Sequence, residues 1–114
     1  MHVRLMIIIF GGFSSESIAG RIKDCNSEYI VTADEGVRGG KNIPLKKITD
    51  QALENCPSIK KCLVVRHTKN KVNMIEQRDE YLDNLISEVD DYCEPEEMNA
   101  EDPLFILYTS GSTG

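Results

Sequence analysis

The stretch Leu104-Phe105-Ile106-Leu107-Tyr108-Thr109-Ser110-Gly111-Ser112-Thr113-Gly114 changes character at its midpoint. An apolar run without alternation follows Pro103, which reads as a strand buried on both faces. A run of hydroxyl residues and glycine comes next. Ligands of open α/β sheets sit beyond the carboxyl ends of strands. Glycine lets the backbone turn so that successive N–H groups converge on an anion, and the hydroxyls of Thr109, Ser110, Ser112 and Thr113 add donors. The spacing is not that of a Walker A loop. Composition alone would also suit a polar tail.

Working outward, the same kind of run recurs at Leu5–Phe10, bounded by Gly11 and Gly12. It is shorter than the roughly seven apolar residues of a signal peptide and far shorter than the roughly 20 of a membrane span. It is therefore expected to be a strand buried on both faces, in a chain with no membrane partner. Ser14 or Ser15 can cap a helix with Glu16 in its first turn and Ile18, Ile22 and Cys25 on one face. Tyr29–Thr32 reads as a second strand. Residues 33–41 hold three glycines and read as a loop. Pro44 suits a helix's first turn; Leu45, Ile48, Ala52, Leu53 and Cys56 form its stripe, and Pro57 stops it. Cys62–Val65 is a third strand and Lys69-Asn70-Lys71 a turn. Arg78 to about Val89 reads as an amphipathic helix with Tyr81, Leu82, Leu85, Ile86 and Val89 facing in. The stretch Asp90–Asp102 is acidic and irregular. Strands alternating with helices give an α/β class with mostly parallel strands.

Charge is uneven. The chain carries 13 basic and 19 acidic residues for a net −6, yet residues 20–71 have a surplus of five positives. The acidic last third argues against nucleic acid, whose binding rests on neutralised phosphates. The cysteines, Cys25, Cys56, Cys62 and Cys93, form no CxxC pair, so they read as reduced thiols in a cytoplasmic setting. His2 and His67 have no acidic or nucleophilic partner at a telling spacing, and Glu35 reads as a loop charge. Arg38 and Lys41 flank Gly39–Gly40, an arrangement that lets two cations approach a phosphate. On spacing alone it could equally be a solvated loop.

Residues 108–114, Tyr-Thr-Ser-Gly-Ser-Thr-Gly, resemble the phosphate-binding signature of the adenylate-forming enzymes. That family's signature continues into a Pro/Lys/Gly run beyond residue 114. Three longer stretches, Phe10–Cys25, Thr32–Lys46 and Glu97–Gly114, resemble the acetyl-CoA synthetases (acetate–CoA ligases) in order and spacing. The resemblance covers nearly the whole chain and about a fifth of the family's length. It implies that residues 1–114 are part of the layered N-terminal α/β domain of an AMP-dependent synthetase, ending at the phosphate-binding loop. It further implies acetate, ATP and CoA as small-molecule substrates, Mg²⁺ as the metal, and acetyl-AMP formation followed by acyl transfer to CoA. Thr109, Ser110, Gly111, Ser112, Thr113 and Gly114 would bind the ATP phosphates. Arg38, Gly39, Gly40 and Lys41 would bind CoA; Lys41 stands where the family has a second arginine, which keeps the charge but loses the bidentate fork. Tryptophans usual around Glu76–Leu85 are replaced by Ile75, Tyr81 and Leu82. The acyl pocket, metal carboxylate and catalytic lysine of the family lie beyond residue 114. No catalytic residue is therefore assigned, and the piece alone is expected to be inactive. A propionate–CoA ligase, a non-catalytic nucleotide- or CoA-binding module and a non-functional truncated product are the alternatives.

Overall fold

The structure is a computed structural model that describes residues 6–109. The chain divides into two units: Gly11–Val89, and a second made of the two flanking segments, of which residues 6–10 and 90–109 are described.

In the larger unit, α1 (Ser15–Cys25) starts where Ser14 Oγ accepts from the Ser17 N–H at 3.2 Å. Asn26 ends it in the left-handed conformation, φ 49°, which asparagine tolerates better than most residues. Next come β2 (Tyr29–Ala33), β3 (Gly36–Arg38), β4 (Lys41–Ile43), α2 (Leu45–Leu53), β5 (Lys61–Val65), β6 (Asp79–Tyr81) and α3 (Leu82–Ile86). β2, β5 and β6 form one sheet in that order, all parallel, with Ile30 opposite Cys62 and Val64 opposite Tyr81. This is the expected α/β layering. Ala19 and Ile22 of α1, Ala52 and Leu53 of α2, and Cys56, Ile59, Cys62 and Val64 make the core. Burial pushes the Cys62 thiol up to about 11, so it is an inert core group. The cysteines are all free thiols.

Three expectations need correction. The loop expected over residues 33–41 contains a β-hairpin: β3 and β4 pair antiparallel around Gly39–Gly40. Both glycines have positive φ, 59° and 76°, the requirement of a tight hairpin turn whose twist matches its strands. The helix expected from Arg78 begins only at Leu82, because Asp79–Tyr81 is drawn into the sheet as β6. The cause is non-local. Asp79 is 8% exposed, and its carboxylate is held by Lys46 and Arg78, so the segment is anchored before a helix can start. Ile86 and Val89, expected to face in, are exposed. Cys56 is buried as expected, although α2 ends at Leu53, ahead of Pro57.

The third correction concerns the smaller unit. β1 (Met6–Ile8) and β7 (Phe105–Leu107) pair parallel, Ile7 opposite Ile106. Their apolar sequence predicts burial on both faces. Yet Met6, Ile8 and Leu104–Leu107 are all exposed; β1 and β7 form a sheet of their own, and a two-stranded ribbon by itself buries little apolar surface. The acidic stretch 90–102 is irregular, as expected.

Candidate functional site

The hairpin is held at its base from both sides. Asp34, at the carboxyl end of β2, accepts the Lys46 N–H on its carbonyl at 3.2 Å, closing the excursion that carries β3 and β4. Its carboxylate is 1% exposed. Oδ1 accepts the N–H groups of Glu35, His67 and Thr68 at 2.6, 2.9 and 3.2 Å, and Oδ2 accepts that of Lys69 at 2.9 Å. Burial would raise this carboxyl, but the four backbone donors hold it below the ordinary value of 3.8. Glu35 completes the junction. Its Oε1 accepts from Thr68 Oγ1 at 2.7 Å, Asn70 Nδ2 at 2.6 Å and Asn42 Nδ2 of β4 at 3.5 Å. The His67 ring sits against the Glu35 carbonyl, its Nδ1 at 3.2 Å. Asp34 and Glu35 thus tie the hairpin to the loop after β5.

At the other end of that excursion, Lys46 is fully buried. Its ammonium meets Asp50 Oδ1 at 2.7 Å, Asp79 Oδ2 at 2.8 Å and the Asn73 carbonyl at 2.7 Å, so all three N–H groups are used. Arg78 braces the same carboxylates, with Nη2 2.6 Å from Asp50 and Nε 2.6 Å from Asp79. Burial would raise Asp79, but Arg78, the Ile75 N–H and Lys46 hold it below 3.8, while the Asp79 hydrogen bond holds Arg78 above its usual value.

At the tip, Arg38 and Lys41 are direct partners across the last rung, with Gly39 and Gly40 between them. All four residues are exposed. Like charges directly opposite in an antiparallel pair repel. An anion seated between them would relieve that repulsion. The structure therefore brings Arg38, Gly39, Gly40 and Lys41 together as one feature. A Cβ added at Gly39 or Gly40 would meet nothing within 4 Å, so the penalty for substitution is backbone strain alone. Gly40→Val is expected to cost about 1–2 kcal/mol, and Gly39→Asn much less, because asparagine tolerates positive φ. Urea unfolding of the two variants checks this; equal costs would refute it.

Of the phosphate-binding candidates, Thr109 is exposed, two residues past β7. Ser110, Gly111, Ser112, Thr113 and Gly114 lie outside the described residues. Among the described residues there is no group of three His, Cys, Asp or Glu that could hold a metal ion. Nor is any described helix long and apolar enough to cross a membrane.

Sequence reasoning missed Asp34, Glu35 and Lys46. Lys46 and Asp50 stand at i,i+4 on α2, a visible pair, but nothing local said that the lysine would be buried. An Asp-Glu pair directly after a β-branched strand was the available signal for the junction.

Comparison with known proteins assigns the family. The family model for AMP-binding enzyme matches residues 5–114. The chain is 59% identical over 107 residues to an acetyl-coenzyme A synthetase of Parvibaculum lavamentivorans, covering 94% of this chain and 16% of that protein. It is 56% identical to one of Syntrophobacter fumaroxidans, again over 94% of this chain and 16% of the relative. The corresponding protein of Gamma-proteobacterium EBAC31A08 is 50% identical, with 94% and 17% covered. The chain thus spans about a sixth of the length of these curated relatives. A parallel α/β sheet carrying a cationic glycine hairpin, matched by the family model over almost all of its length, is a member of the AMP-binding enzyme family.

Proposed function

We propose that this chain is the part of an acetate–CoA ligase that carries its nucleotide phosphate loop and its CoA hairpin. The observation that carries the reading is the Arg38–Lys41 hairpin tip, two cations forced together around a glycine turn in a chain 59% identical to an acetyl-coenzyme A synthetase. In the proposed reaction an acetate oxygen attacks the α-phosphorus of ATP, giving acetyl-AMP and releasing pyrophosphate. The CoA thiol then attacks the acetyl carbon, giving acetyl-CoA, and AMP leaves with the bonding electrons on its phosphate oxygen. Residues Thr109–Gly114 would hold the pyrophosphate end of ATP in the first step. The tip would take a phosphate of CoA in the second, Arg38 as a planar fork and Lys41 as a point charge. Residues 1–114 are read as part of one AMP-dependent synthetase domain, with acetate, ATP and CoA as its small-molecule partners. A cytoplasmic setting is supported by the free cysteines.

The test is a chimera in which this chain replaces the aligned segment of the Parvibaculum lavamentivorans protein. Acetate-dependent exchange of pyrophosphate into ATP is expected. A folded chimera without exchange would overturn the assignment. In that chimera, Arg38→Ala with Lys41→Ala is expected to raise KM for CoA about tenfold or more, the loss of at least about 1.4 kcal/mol of binding. The KM for ATP should move much less. Equal changes in both would mean that the hairpin does not meet CoA.

A further inference from the structure

We infer a second anion site, separate from the hairpin tip, in the cleft above the carboxyl end of β5. The cleft has a volume of about 390 Å³ and is lined by Asp34, Arg66, Lys69, Asn70, Lys71, Tyr81 and Asp83. It lies wholly within the Gly11–Val89 unit. Its position is where parallel sheets place ligands, beyond strand carboxyl ends.

Three cations line the cleft, against two carboxylates. Asp34 is already saturated by four backbone N–H groups. Asp83 meets Arg66 Nε only at 3.5 Å, with the two side chains 61% and 41% exposed, a pair that contributes little and yields readily to a stronger anion. Lys69 and Lys71 have no ion-pair partner among the described residues. Arg66 is preorganised: its guanidinium lies 3.8 Å from the centre of the Tyr81 ring, which fixes its plane. The loop between them is preorganised too. Asp34 pins the N–H groups of His67, Thr68 and Lys69, and Lys69 is held at a positive φ of 64°. Because those N–H groups are taken, the anion is held by side chains. Two compact ammonium charges and a guanidinium lining one cleft suit a phosphate group, either free or as a monoester. With a net excess of only one positive charge, the expected affinity is about millimolar.

The test is amide NMR on the full chain titrated with sodium phosphate and, separately, with AMP, ionic strength being held constant with sodium chloride. The amides of Arg66–Lys71 are expected to shift saturably, with half-points near about 1–10 mM. Lys69→Gln with Lys71→Gln is expected to raise the half-point about tenfold, as both are exposed and their loss leaves the core intact. Arg38→Gln with Lys41→Gln should leave these shifts unaltered, so the outcome is independent of the CoA reading. A lower half-point for AMP than for phosphate assigns a monoester site; equal half-points assign a site for the phosphate group alone. Shifts that rise linearly without saturation, or a half-point unchanged in the Lys69/Lys71 variant, overturn the proposal.

Discussion

Lys46→Met is expected to destabilise the chain by about 3 kcal/mol, the lower end of the range for breaking a buried ion pair. The ammonium is inaccessible and satisfies Asp50, Asp79 and the Asn73 carbonyl at once. Methionine fills a similar volume, so packing loss is small and the effect isolates the charge. Removing it leaves the Asn73 carbonyl without its donor and two carboxylates sharing Arg78. That residual brace keeps the cost from the top of the range. With a urea dependence of about 1–3 kcal/mol per molar for small domains, the midpoint should fall by about 1–3 M. A double-mutant cycle with Asp79→Asn should return a coupling of about 1 kcal/mol or more. An unchanged midpoint would mean that the cluster is dispensable. The consequence reaches the hairpin, because Lys46 also donates its N–H to Asp34 and so fixes the end of the excursion that carries Arg38 and Lys41.

That cluster also explains where the sequence could and could not be read. α1 and α2 were legible because a serine cap, a proline start and an apolar stripe are all local signals. β2 and β5 were legible because β-branched residues bounded by breakers fit only a pleated, buried element. The family resemblance located Arg38 and Lys41, but their pairing across a two-residue turn is a property of the backbone. Three glycines in nine residues suit a disordered loop and a tight hairpin equally well. β6 was hidden because the helical spacing of Tyr81, Leu82, Leu85 and Ile86 is real. What overrides it at Asp79 is a lysine far back in the chain, on α2. Asp34 failed for the same reason: three of its four donors come from the loop after β5. Apolar runs at β1 and β7 predict burial on both faces, whereas a two-stranded ribbon by itself buries little of either.

Asp34→Ala is the second large effect, and it has a signature in pH. A buried carboxylate with four backbone donors does two tasks: it closes the hairpin junction and it shapes the loop of Arg66–Lys71. Truncation leaves the N–H groups of His67, Thr68 and Lys69 without their acceptor, each loss being about 1–3 kcal/mol before relaxation. Water reaches part of this loop, so the expected total is about 3 kcal/mol. Asp34→Asn should cost less, since an amide oxygen can keep the Oδ1 bonds while its NH₂ opposes only the Lys69 N–H. The folded carboxyls of Asp34 and Asp79 both lie below 3.8. A carboxyl depressed by folding contributes stability that is present in full above its unfolded value and is lost as pH falls through its folded value. The native chain should therefore hold its stability down to about pH 4 and lose it progressively below. Asp34→Asn removes one of the two depressed groups. It should begin lower at pH 7 and fall less steeply below pH 4, so that the two curves converge in acid. Parallel curves from pH 7 to pH 2 in urea titrations would show that Asp34 is not held as its four donors require.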